Sequence, residues 1–200
     1  MPIYTHLKNY CFTLVWWVLL CIVGSSLVIA NEFDYRYKKT FKVQRLSLKE
    51  GLSQSTVQTI IQDQDGYIWL GTEDGLNRFD SYEFKIYRND LRNANSLHEN
   101  SVISLLEDPE KGIWVGTVSG LSLFDPKTES FTNYSENYPR LKTNIRNLFR
   151  SQNGIIWVAS DKGLFYIERA TGDIKLFVSN KGFKFGFPIV DIVQKRNLFT

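Results

Sequence analysis

The chain has 200 residues, 43% hydrophobic and 22% charged, a composition that excludes extensive disorder. Its formal charge of +3 is scattered evenly, with neither a basic stripe to hold nucleic acid nor an acidic tail. Aromatic residues at 14% and 13 glycines favour a turn-rich, all-β chain over a helical one.

The first segment differs from the rest. Met1–Tyr10 carries Lys8 and no acidic group, Cys11–Val23 is a long apolar run, and Val28-Ile29-Ala30 follows a small polar stretch. That order is the order of a secretory signal. Cys11–Ala30 is also about long enough to span a bilayer, so a retained anchor is the competing reading of residues 1–30. Both place residues 31–200 on the extracytoplasmic, periplasmic side. Cys11 and Cys21 both lie in the leader, so residues 31–200 can form no disulfide, thiolate site or cysteine metal site. His98 is the one histidine past the leader and reads as a surface residue, not a metal ligand. No metal site and no cofactor is expected.

A repeat then governs the sequence. Trp69, Trp114 and Trp157 recur after 45 and 43 residues, each inside the same phrase. The phrase runs Gly66–Asp80, then Gly112–Asp125, then Gly154–Ile167. Val57, Val102, Ile145 and Ile189 open short apolar strands at the same interval. Phe84–Tyr87, Phe131–Tyr134 and Ile174–Phe177 close the units. Within the second unit, strands are predicted at Ser101–Glu107, Ile113–Thr117, Leu121–Phe124 and Ser130–Tyr134, separated by Pro and Gly turns. Four strands in about 44 residues is a β-propeller blade. The expected blades are 52–90, 96–136 and 140–180, with the next beginning in 186–200 and an orphan outer strand at 40–48. Trp69, Trp114 and Trp157 read as blade-to-blade packing, and Gly71 and Gly116 as small residues where sheets converge. Gly75, Gly120 and Gly163 mark the following turn. Because propellers need about four to eight blades to close, the expectation is a truncated, N-terminal part of a longer protein.

The stretch Gly51–Asp80, with its Gly51-Leu52-Ser53 opening and Asp65-Gly66-Tyr67-Ile68-Trp69-Leu70-Gly71-Thr72 core, resembles the two-component regulator propeller repeat. Asn95–Asp125 matches nearly as well. The third unit departs from it, with Arg150-Ser151 in place of the acidic turn and Ala159-Ser160 in place of Gly-Thr. The resemblance implies a periplasmic sensory module whose parent carries a membrane helix and a histidine kinase or diguanylate cyclase output. It also implies, as partners, an oligosaccharide or other small extracellular ligand and the further blades and signalling domains of the same parent, with a homodimer possible. It implies no catalysis within these residues.

A propeller carbohydrate-active enzyme and a propeller protein-interaction scaffold are the alternatives. For glycoside chemistry the best carboxylate pair is Glu73-Asp74, but loop solvation or ligand contact is the better reading. Asp65 precedes Gly66 directly, one residue out of register for a sialidase-like Asp box. No nucleophile elbow, Walker loop or dinucleotide fingerprint occurs. In propellers, the loops leading into strand one and out of strand two surround one mouth of the channel. Ser55, Glu73, Asp74, Asn100, Ser101, Asn144 and Asp161 occupy those loops and are the candidate ligand contacts, against a plain turn-capping role.

Overall fold

The computed structural model describes residues 43–168 and 171–177. The leader at 1–30 and the expected fourth unit at 186–200 lie outside the described residues. Twelve strands follow in chain order, all inside the unit Leu46–Thr200. The first blade comprises β1 (Val57–Gln62), β2 (Ile68–Thr72), β3 (Gly75–Phe79) and β4 (Phe84–Tyr87). The second comprises β5 (Val102–Asp108), β6 (Gly112–Thr117), β7 (Leu121–Asp125) and β8 (Ser130–Asn133). The third comprises β9 (Ile145–Arg150), β10 (Ile156–Ser160), β11 (Gly163–Ile167) and β12 (Ile174–Leu176). Each set is a separate four-stranded antiparallel sheet in sequential order, the meander expected of a propeller blade.

The turns follow from a few backbone requirements. Gly75 adopts φ 111, and a Cβ there would lie 2.5 Å from the carbonyl oxygen of Tyr87. Gly71 instead marks a close approach of blades, since a Cβ would sit 2.6 Å from Val102 Cγ1 of the next blade. Gly116 is placed alike, 2.8 Å from Ile145 Cγ2, while Ala159 shows that the third blade leaves room for a methyl group.

Each first strand carries a bulge one residue in. The register slips between Val57 and Thr59, between Val102 and Ser104, and opposite the Ala159/Ser160 step. Gln58, Ile103 and Arg146 are thereby left out of the ladder, which sharpens the twist of the inner strand.

The expected outer strand at 40–48 does not form over its described residues. Residues 43–47 are irregular and Leu48–Glu50 is a 3-10 turn. Ser47 and Glu50 cap each other, with Ser47 N–H donating to Glu50 Oε2 at 2.7 Å, and Gly51 ends the turn at φ 104. A local capping box has captured residues that the repeat phase assigned to a sheet.

Strand alternation gives every blade two faces. One bears the Trp; in the second and third blades the other receives the Trp face of the preceding blade. At the first junction Trp69, Leu76 and Tyr87 pack on Val102, Leu105, Ile113, Val115, Phe124 and Phe131. At the second, Trp114 and Leu121 pack on Ile145, Leu148, Ile156, Val158, Phe165, Ile167 and Ile174. Trp69 and Trp114 are each 1% exposed. Burying a side chain of that size contributes about 3–5 kcal/mol relative to alanine.

Candidate functional site

The blades have two ends. One gathers the segments leading into the first strands and the β2–β3, β6–β7 and β10–β11 turns; the other gathers the β1–β2, β5–β6 and β9–β10 turns. All the sequence-derived ligand candidates fall at the first of these ends.

That end is organised by a hydroxyl repeated once per blade. Thr72 Oγ1 donates to the Gly75 carbonyl at 3.1 Å and accepts the Asp74 N–H at 3.1 Å. Thr117 does the same with Gly120 and Ser119, and Ser160 with Gly163 and Lys162. These hydroxyls are buried, so the small residue after each Trp-bearing stretch is followed by a turn-locking group. The next residue is thereby aimed outward: Glu73 is exposed, Asp161 is held by Arg146, and Val118 takes the place of both in the second blade.

The candidates form pairs and no single cluster. Gln54 Nε2 donates to Glu73 at 3.4 Å. Asp74 accepts both Arg88 Nε and Nη2, at 3.1 and 2.8 Å, and that hydrogen-bonded guanidinium holds its carboxyl below the usual carboxylate range. Its neighbour Gly75 donates its N–H to the Asn100 carbonyl at 2.8 Å, a backbone bond across the first junction. Asn100 Oδ1 in turn accepts the Asn89 N–H at 2.7 Å. The Ser101 carbonyl accepts the Val118 N–H, and the Asn144 carbonyl accepts the Asp161 N–H. Asn144 and Asp161 are therefore brought together in the third blade, and Asn144 Oδ1 is buried without a partner. Ser55 is exposed beside the first strand. Asp74, bound by Arg88, is not a carboxylate free to face Glu73 across a glycosidic bond.

Sequence reasoning missed two polar groups of the same end. Asn77 is fully buried, takes the Ser53 N–H on Oδ1 at 2.9 Å and donates to Ser53 Oγ at 2.8 Å. It ties the Gly51-Leu52-Ser53 stretch to β3, which is the physical use of that motif's serine. The second blade moves the same device to β8: Asn133 Nδ2 donates to the Ala94 and Ser96 carbonyls at 3.2 and 3.0 Å. The third blade has Phe165 and Leu176 there. For Asn77, an Asn at the centre of a strand was the available signal, whereas Asn133 sits in the polar stretch Ser130-Phe-Thr-Asn133 and carried none.

The opposite end holds a depression of about 670 Å³, lined among others by Asp63, Tyr67, Arg78, Glu107, Lys111 and Lys127. Asp63 organises it. Its carboxylate accepts the Tyr67 N–H at 2.9 Å and Trp69 Nε1 at 2.7 Å. Asp108 repeats the bond to Trp114 Nε1 at 3.4 Å, and Ser151 takes the position in the third blade. The guanidinium of Arg78 lies 4.9 Å over the Tyr67 ring. Among the described residues, no three His, Cys, Asp or Glu side chains converge to hold a metal.

Comparison with known proteins agrees with the repeat and the fold. The two-component regulator propeller family matches residues 51–74 and 96–119, the cores of the first two blades. A histidine kinase P4 of Formosa agariphila is 54% identical over 48 residues, 24% of this chain and 4% of that protein. The extracellular domain of a hybrid two-component system of B. thetaiotaomicron superposes with a TM-score of 0.61 at 30% identity, covering 67% of this chain. A second extracellular domain from that organism, of a one-component system, has a TM-score of 0.57 at 24% identity over 78% of this chain, a likeness of fold. This chain spans about a fifth of those two solved chains, 20% and 21%. Residues 51–74 and 96–119 thus match the two-component regulator propeller repeat and form equivalent blades of a propeller fold shared with those extracellular domains.

Proposed function

We propose that the chain serves as the extracytoplasmic input region of a two-component sensor, receiving a small extracellular ligand for a kinase or cyclase output in the same parent protein. The observation that supports it is the occurrence of two matched repeats as structurally equivalent blades, 51–74 and 96–119, in a fold shared with an extracellular sensor domain. The leader, with the features of an export signal or anchor, fits that side of the membrane. The polar groups Ser55, Glu73, Asp74, Asn100, Ser101, Asn144 and Asp161, displayed by turns whose backbone is already hydrogen-bonded, suit hydroxyl-rich ligands such as oligosaccharides.

Two measurements test this reading. A periplasm-dependent phosphatase fused after Thr200 is expected to be active; an inactive fusion with stable protein overturns export. The full chain is then melted against a panel of oligosaccharides. A ligand at a hundred times its Kd raises stability by about 2.7 kcal/mol. Glu73→Ala, Asn100→Ala and Asp161→Ala are expected to weaken that shift. A ligand whose shift survives all three substitutions moves the binding site away from this end, and a panel without any shift overturns the oligosaccharide assignment.

A further inference from the structure

The apolar parts of the two junctions are nearly interchangeable. Each sets a buried Trp against a patch of branched and aromatic side chains, and hydrophobic burial has no direction that would order the blades. The polar groups around them are not interchangeable. On the receiving face of the second blade, Glu107 accepts the Gln64 N–H at 2.8 Å. Glu129, in the β7–β8 turn, accepts the Tyr87 hydroxyl at 3.2 Å, pairs with Arg78 at 3.5 Å and is bonded by Lys85. All four partners belong to the first blade. At the matching positions of the second junction stand Pro109 without an N–H, Arg150 for Glu107, Leu123 and Thr132 for Arg78 and Lys85, and Gly172 for Glu129. Gly172 has φ 76, and Glu129 holds the same left-handed region at φ 50, where a glycine would be unstrained. The carboxylate is kept at a backbone position that disfavours it.

We propose that Glu107 and Glu129 select the Trp face of the first blade over that of the second as the neighbour of the second blade's receiving face. If a second blade from another copy took that place, Pro109 would offer Glu107 no N–H. Glu129 would then face Leu123 and Thr132. If the first blade docked on the receiving face of the third, the Gln64 N–H would meet the Arg150 guanidinium, and Arg78 and Lys85 would lose Glu129. Each wrong docking leaves donors or charges unpaired at a partly desolvated contact, which is how near-identical surfaces are told apart. Repeat proteins need such discrimination, because mispairing between like units is their characteristic misassembly.

The test refolds the full chain from urea at rising concentration, in one constant detergent because Cys11–Val23 is apolar, and measures the oligomeric fraction by sedimentation. Glu107→Gln with Glu129→Gln is compared with Val115→Ala, which weakens the same junction without touching charge. The double variant is expected to give several-fold more oligomer than Val115→Ala, and wild type is expected to approach it in molar salt. Equal fractions in the two variants, or indifference to salt, overturn the proposal. As a second arm, Lys85→Glu is added to Glu129→Lys; the oligomer formed by Glu129→Lys is expected to recede, and no recovery likewise overturns it.

Discussion

At the first junction Trp69 lies 5.2 Å from the Phe124 ring, Tyr87 packs tilted against Phe124 and edge-on to Phe131, and Glu129 and Glu107 close the edges with ionic and backbone bonds. At the second, Trp114 meets Tyr134 at 5.2 Å over a largely aliphatic floor, and the bonds there include Ser104 Oγ to the Ile145 carbonyl at 2.8 Å and the Tyr138 hydroxyl to Asp173 at 3.4 Å. The lesson is that one repeat can keep its packing while exchanging the groups at its rim. Burial supplies the bulk of either junction, whereas ion pairs at partly exposed positions each add little and mainly set preference.

The comparison is broken most strongly in the shared core. Trp114→Ala is expected to cost about 3–5 kcal/mol, with Trp69→Ala in the same range, both independent of salt in urea unfolding. A Trp69→Ala cost far below that of Trp114→Ala would mean that the ionic rim carries the first junction. Gly116→Val drives branched carbons toward Ile145 and is expected to cost about 1–3 kcal/mol, while the same change at Ala159 costs less. Calorimetric melting of the pair reads the difference directly. Ser151→Asp restores to the third blade the carboxylate that Trp69 and Trp114 use. It is expected to gain about 0.5–1.5 kcal/mol and to alter Trp157 fluorescence, and no gain would mean that the turn cannot reach the indole.

The smallest effect is the rim itself. Glu129→Gln is expected to cost about 0.2–1 kcal/mol, discounted for exposure. The Lys85 ammonium bonded to Glu129 lowers its pKa in the fold. A depressed folded value means that its contribution is present above the unfolded value of about 4.3 and is lost as pH falls through the folded value. Wild type should therefore lose its advantage over Glu129→Gln below about pH 4, seen as converging urea midpoints. An advantage unchanged to pH 3 would remove Glu129 from the electrostatics of the junction.

Legibility in the sequence followed the range of the interaction. The four strands of the second blade lie within a residue of their repeat-derived positions, because Gly and Pro turns and a Trp every 43 to 45 residues act locally. Trp69 and Trp114 are buried between blades, as blade-to-blade packing requires. The strand expected at 40–48 failed over its described residues for a local reason, the Ser47–Glu50 cap, which a search for period passes over. The bulges at Gln58, Ile103 and Arg146 left no mark in composition, since any residue can occupy them.

The amino-acid sequence by itself determined the repeat, the all-β class and the four-strand blade, since each rests on short-range turn chemistry and alternation. Only the tertiary structure decided which polar groups are already spent. Asp74 is bound to Arg88, Asn77 is buried under Ser53, and Glu129 gathers three side chains from the neighbouring blade. Residues 42 to 51 positions apart meet there because sheets stack face to face, and nothing in a linear spacing says which of two like blades a charge will face.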